Sequence, residues 1–125
     1  MTKLTKEELN KILEDHQLFL NDNTKGSRAN LIDADLTFVD LRHANLSDAI
    51  LNGAILYHAN LQNANLSDAD LSVANLSNAD LSGAILIGAN MRSAKLSGAN
   101  LSGAILFKAN LDGADLEGAI FKENE

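Results

Sequence analysis

Apolar residues recur along most of this chain with a period of five. From Ala29 to Glu123 the sequence repeats Ala, then Asn, Asp or Ile, then Leu, then two variable residues. Nineteen pentads follow one another, centred on every fifth residue from Leu31 to Phe121; Met91 and Phe121 are the only centres that are not Leu. The residue two before each centre is Ala in every pentad but one, where it is Val39. A period of five fits neither a helix at 3.6 nor a long strand at two. Within a pentad, however, Ala and Leu are two apart, so extended backbone points both to one side. The next two residues must then turn the chain and reset the phase. The last position suits a corner, being Gly at 53, 83, 88, 98, 103, 113 and 118 and Asn, Asp or Ser at several others. Such residues tolerate positive φ or bond their own backbone. Each pentad is therefore a short extended side plus a corner, with Leu and Ala inside and three positions outside.

These residues closely resemble the pentapeptide repeat family, whose motif is A(D/N)LXX. The resemblance implies an all-β solenoid, a right-handed quadrilateral β-helix with four pentads to the coil. Nineteen pentads then make about 4.75 coils, a square rod roughly 23 Å long at the sheet spacing of about 4.8 Å. Leu fills the axis, Ala fits beside the wall, and Val39 is expected to push its wall outward slightly. Asn before the centre is expected to bond the backbone of adjacent coils. Six of the seven corner glycines lie at 83 or later. That distribution predicts type II turns mainly in the C-terminal half, and other turns around Phe38, Val73 and Lys108.

Residues 1–28 follow another rule. Thr5 and Glu8 have the spacing of a capping box, and Leu4 and Leu9 that of a hydrophobic staple. Leu9, Ile12, Leu13, His16 and Leu20 recur at helical spacing, and Gly26 can end the segment. The pattern predicts an amphipathic helix over about 5–21. So short a helix is marginal alone in water, so it is expected to lie across the mouth of the rod and cover the first Leu layer. The division expected is a capping helix and linker over 1–28, a β-helix over 29–123 and a tail at 124–125. Phe121 is placed to plug the far end. A monomer is expected, with end-to-end pairing through the last coil as the alternative.

Composition then narrows the function. The net charge of −7 falls entirely on residues 29–125, which hold five bases and twelve acids. That excludes the basic footprint of a nucleic-acid binder. There is no cysteine, hence no disulfide or thiolate chemistry. No apolar run reaches membrane length, and no signal peptide precedes the helix, so the expected location is cytoplasmic. His43 and His58 stack on no other His, and the rod walls offer no concave site for catalysis. Neither enzyme, cofactor nor metal site is expected. Asp48 stacks on Asp68, and Asp40 and Asp80 share a column with Asn60 between them. The layout of helix then repeat, with His16-Gln-Leu-Phe-Leu and Gly26-Ser-Arg-Ala-Asn-Leu, resembles small cyanobacterial members of the family. That likeness implies a rigid structural or protein-interaction module of undefined biochemical function. The alternative implied by the family is a DNA mimic that binds DNA gyrase, a type II topoisomerase. Duplex DNA carries about one charge per 1.7 Å, roughly twice the density available here.

One wall is unusual. Residues twenty apart share a column, so Ile85 and Ile105 form one outward column and Ile87 and Phe107 the next. These four make the candidate protein-contact patch. Ile50, Ile55 and Tyr57 form a looser second set.

Overall fold

The computed structural model describes residues 3–123. The tail at 124–125 and the first two residues of the capping segment lie outside the described residues. From residue 29 onward the chain is the quadrilateral β-helix that the pentads imply. Parallel bridges join every pre-centre residue to the one twenty positions on, from Asn30 with Ile50 to Asn100 with Ile120. Four pentads therefore complete a coil. The first wall holds residues 29–33, 49–53, 69–73, 89–93 and 109–113. The second, third and fourth walls begin five, ten and fifteen residues later.

Each coil bonds to the next through three groups per pentad. The Leu N–H and the corner N–H donate forward: Leu31 to the Ile50 carbonyl at 2.7 Å and Asp33 to that of Asn52 at 3.1 Å. The pre-centre N–H donates back, as Ile50 does to Ala29 at 2.9 Å. A fourth bond closes each corner, from the following Ala N–H to the Leu carbonyl, as in Ala34 to Leu31 at 3.1 Å. Backbone polar groups inside the stack are thus paired, as burial requires.

The corners are more uniform than their sequences. All eighteen have positive φ at the third turn residue, including Phe38 at 60°, Val73 at 60° and Lys108 at 60°. Positive φ confined to that residue is the mark of a type II turn, so the expected mixture of turn types is wrong. The reason is the ladder: a corner N–H must meet a carbonyl of the next coil, and one corner cannot turn differently from those stacked on it. Glycine relieves the strain and also makes room. At Gly53 and Gly88 the space a Cβ would fill is taken by the side chains of Asp33 and Asp68 one coil earlier.

A second expectation also changes. Among the described residues Asn and Asp before the centre do not bond the backbone of the neighbouring coils, although Asp80 also accepts from the Gln62 side chain one coil earlier. All thirteen accept, through Oδ1, the N–H two residues on in their own pentad, as Asn30 does from Ile32 and Asp115 from Glu117. These are Asx turns, and they brace each corner from within. Val39 sits in its wall without lengthening the ladder, since Asn60 still donates to its carbonyl at 2.9 Å.

The helix α1 spans Lys6–Asn21. Its start is a full capping box: the Glu8 N–H donates to Thr5 Oγ1 at 3.0 Å and the Thr5 N–H to Glu8 Oε1 at 2.9 Å. It ends at Asp22, before Gly26. Gly26 instead lets the linker approach the helix closely. With φ 63° it packs where a Cβ would meet the Asp15 carbonyl. Beneath α1 the first-coil centres Leu31, Leu36, Leu41 and Leu46 are at most 2% exposed. At the other end Leu106, Leu111 and Leu116 are only half-buried. Phe121 does not plug that end, for it is 50% exposed.

Candidate functional site

The outward surface departs from its polar rule most on the fourth wall. Ile85 bridges to Ile105, and the Gly88 N–H donates to the Phe107 carbonyl at 2.9 Å, so the four apolar residues lie on two adjacent coils. Ile85 is half-buried, whereas Ile87, Ile105 and Phe107 are 37%, 48% and 65% exposed. The Lys108 ammonium stands 5.4 Å from the Phe107 ring centroid, a cation–π distance. Ile85 and Ile105 also occupy Asx positions. With Ile there, no side chain among the described residues accepts the N–H of Ile87 or Phe107, so those pentads lack the brace found at the thirteen polar ones. A neutral hydrogen bond contributes about 0.5–1.5 kcal/mol. These two positions forgo it while placing a large apolar group at the surface.

The second set is not brought together as expected. Ile50 and Ile55 are half-buried on neighbouring walls, while Tyr57 joins an aromatic cluster. Phe38 stacks on His58 with centroids 5.2 Å apart, and Tyr57 meets His58 edge-on at 4.3 Å. The twenty-residue rule places Phe38 over His58; what it misses is that Tyr57 turns toward the same corner.

The cap residues divide. Leu9 and His16 are buried, and Ile12 and Leu13 are half-buried against the rod's core. Leu20 is half-buried but is not part of that packing. His16 does more than fill the stripe. Its Nδ1 accepts the Ala29 N–H at 2.9 Å, and its Nε2 lies 2.8 Å from the Ser47 carbonyl. An N–H donor at Nδ1 leaves that nitrogen unprotonated, so Nε2 carries the proton and donates to Ser47. Burial lowers the affinity of this ring for a second proton.

The expectation from sequence weighs only the walls of the rod and does not foresee a concavity at the cap. A cleft of about 390 Å³ opens between α1 and the first coil, lined by Leu4, Leu9, Leu36, Phe38, Val39 and polar neighbours. Its size is within the range of ligand pockets. Its two carboxylates are already engaged. Thr37 hydrogen bonds hold Asp35 below the usual carboxylate range, and the Arg42 guanidinium holds Asp40 down to about 2. Both are ionised at neutral pH and poorly suited to give or take a proton there. Among the described residues no group of acids and histidines could hold a metal ion. No helix among them is long and apolar enough to cross a membrane.

Lys3 and Leu4 were missed as repeat residues. Lys3 forms a parallel bridge with Asp35, and Leu4 packs on the core. Together they act as a fragment of a pentad set before the first coil. The signal was legible: Lys3-Leu4 repeats the pre-centre and centre residues Lys95-Leu96 of the same wall.

Comparison with known proteins gives a consistent picture. The Pentapeptide repeats family matches residues 29–68, 54–92, 64–103 and 84–122, in eight copies. No curated protein matches the chain. Among solved structures, a pentapeptide repeat protein (Rfr23) from the cyanobacterium Cyanothece 51142 is 37% identical, with a TM-score of 0.75, over 78% of this chain and 67% of that one. HetL of Nostoc sp. PCC 7120, described as involved in heterocyst differentiation regulation, is also 37% identical, with a TM-score of 0.37. That match covers 77% of this chain, which spans 59% of HetL's length. QnrB1, a plasmid-mediated fluoroquinolone resistance protein, is 25% identical over 83% of this chain and 69% of that one, with a TM-score of 0.39.

Proposed function

The chain belongs to the pentapeptide repeat family, and from that premise we propose that it is a rigid, non-enzymatic module that binds another protein through its fourth wall. The observation that carries this reading is the contiguous exposure of Ile87, Ile105 and Phe107 at pentads that have given up their Asx brace. A solvent-facing wall gains nothing from that exchange. A wall covered by a partner gains buried apolar area at about 25 cal/mol per Å². Lys108 beside Phe107 adds a positive edge, which fits a partner whose apolar surface is rimmed by acids.

The backbone suits such a role. Its ladders fix the backbone from which every outward side chain projects, so little backbone freedom is lost on binding. The chemistry of the cap cleft supports a non-catalytic reading, because hydrogen bonds hold its carboxylates ionised and poorly suited to exchange a proton near neutral pH. The test compares proteins captured from the native host by wild type and by an Ile87→Ser, Phe107→Ser double variant. Circular dichroism should show an unchanged fold, and a specific partner should be lost. The same captured proteins with both baits would refute the proposal.

A further inference from the structure

The fourth wall changes sign along its length. Its corner column reads Asp48, Asp68, Gly88 and Lys108 over successive coils. The ladder keeps these residues in line, the Asp48, Asp68 and Gly88 N–H groups donating to the Ser67, Ile87 and Phe107 carbonyls. Asp68 and Lys108 are both exposed, and neither enters an ion pair among the described residues. They lie one coil to either side of Gly88, so a half-turn about an axis across the rod at Gly88 exchanges acid for base. The other two outward columns share this property. Ile87 stands between Ser67 and Phe107, and Ile85 between Asn65 and Ile105. Each has a polar residue one coil before the isoleucine and a large apolar one a coil after. Ile87 is 37% exposed although a coil lies on each side of it.

We propose that the partner of the fourth wall is a second copy of this chain, packed against it antiparallel about a twofold axis that passes Ile85, Ile87 and Gly88. This rests on the reading of that wall as a protein-binding surface and names its occupant. An axis in this direction sets each column opposite itself. Ile87 meets Ile87 of the second copy, and Lys108 of each copy faces Asp68 of the other. Phe107 covers Ser67, and Ile105 covers Asn65. The polar groups so covered are already served, because the Ser67 hydroxyl and N–H donate to Asn65 Oδ1 at 2.7 and 3.0 Å, and they keep those bonds in the contact. The acid-rimmed apolar surface that suits Lys108 is thus present on the chain itself. Other arrangements lose the match. An axis half a coil further on sets Lys108 against Gly88, and one half a coil back sets Ile87 against Ser67. An axis along the rod lays the corner column on the pre-centre column, and Lys108 on Ile105. The matched strip is three coils, roughly 14 Å, long. So small a contact belongs to the weak, transient class, and a twofold contact closes at two copies. A reversible dimer that fills only at high concentration is expected.

The test is sedimentation equilibrium of the full chain from about 10 μM to about 1 mM. Wild type should pass from the mass of one chain toward that of two, and no further. Lys108→Asp sets acid against acid, and Asp68→Lys sets base against base; each alone should weaken the dimer at least about tenfold. Both changes use side-chain types that this column already holds at positive φ, Asp48 at 63° and Lys108 at 60°, so circular dichroism should show the same fold. Mixed in equal amounts, the two variants should recover the dimer, since each supplies the charge the other lacks. The double variant should dimerise within about threefold of wild type. A wild type monomeric throughout, single variants that dimerise like wild type, a mixture that stays monomeric, or rescue of Lys108→Asp by Asp48→Lys in place of Asp68→Lys would each overturn the proposal. A monomeric wild type whose captured protein is still lost on Ile87→Ser, Phe107→Ser would overturn the second copy alone and leave the wall as a surface for another protein.

Discussion

Val73 is the corner at which backbone strain should be easiest to measure. Its φ is 60°, the left-handed region, and it is β-branched, the side-chain type least tolerant of it. The region costs a non-glycine residue about 1–2 kcal/mol. The side chain is 65% exposed, so its removal forfeits little burial. Glycine removes the strain but costs about 0.5–1 kcal/mol in unfolded-chain entropy. Val73→Gly should therefore stabilise by about 0.5–1 kcal/mol. Val73→Asn, which tolerates this conformation without the entropic cost, should stabilise by about 1 kcal/mol. Val73→Ala keeps the strain and should gain a few tenths at most. Urea unfolding with a common slope of about 1–3 kcal/mol per M reads a 1 kcal/mol gain as a midpoint shift of roughly 0.3–1 M. Equal midpoints for the Ala, Asn and Gly variants would refute the reasoning, since strain at φ would then contribute nothing.

Other outcomes follow from the same geometry. Leu66→Ala, in the middle of the stack, should destabilise by about 2–5 kcal/mol, and Leu116→Ala at the half-exposed end by less than half of that. Asn75→Ala removes the acceptor for the Ser77 N–H, and should cost about 0.5–1.5 kcal/mol in urea unfolding, whereas the same change at Lys95, which braces no corner, should be near neutral. The carboxylates Asp35, Asp40 and Asp80 are held below their ordinary range by hydrogen bonds to Thr37, Arg42, Ser82 and Gln62, with burial opposing them most at Asp80. Their support is present above pH ~4 and is lost as pH falls through their lowered values. Thermal unfolding against pH should therefore decline twice, below about 6.5 for the cap and below about 4 for the walls; Asp35→Asn and Asp80→Asn together should weaken only the second step. A supercoiling assay with DNA gyrase should be unaffected at micromolar protein, because twelve acids and five bases spread over four walls do not reproduce the charge line of a duplex.

What the sequence disclosed was the inside of the molecule. Leu and Ala at fixed spacing state which atoms face the axis, and no other residue competes for that role. The corners were misread because positive φ was assigned to residues that prefer it. In the rod that angle belongs to the ladder, and Phe38, Val73 and Lys108 adopt it in common with the corners stacked against them. The Asx bonds were placed between coils for a related reason: spacing alone does not say which of two nearby N–H groups an Asn side chain reaches. His16 was legible as one member of an apolar stripe. Its two hydrogen bonds involve Ala29 and Ser47, thirteen and thirty-one residues away, and nothing local encodes them. Ile85, Ile87, Ile105 and Phe107 could be found by counting in twenties, since a column needs only the coil length.

Lys3 and Leu4 have a consequence for how the chain finds its register. A ladder built from near-identical pentads is translationally symmetric: shift one stretch by a coil and most of the same bonds form again. Such a ruler has marks but no zero. The fragment Lys3-Leu4, tied through α1 and His16 to Ala29 and Ser47, singles out one pentad as the first. Chains that seat α1 early count their coils from a fixed origin. Chains that close a coil elsewhere first can leave a loop of pentads over, with no local penalty to correct the error.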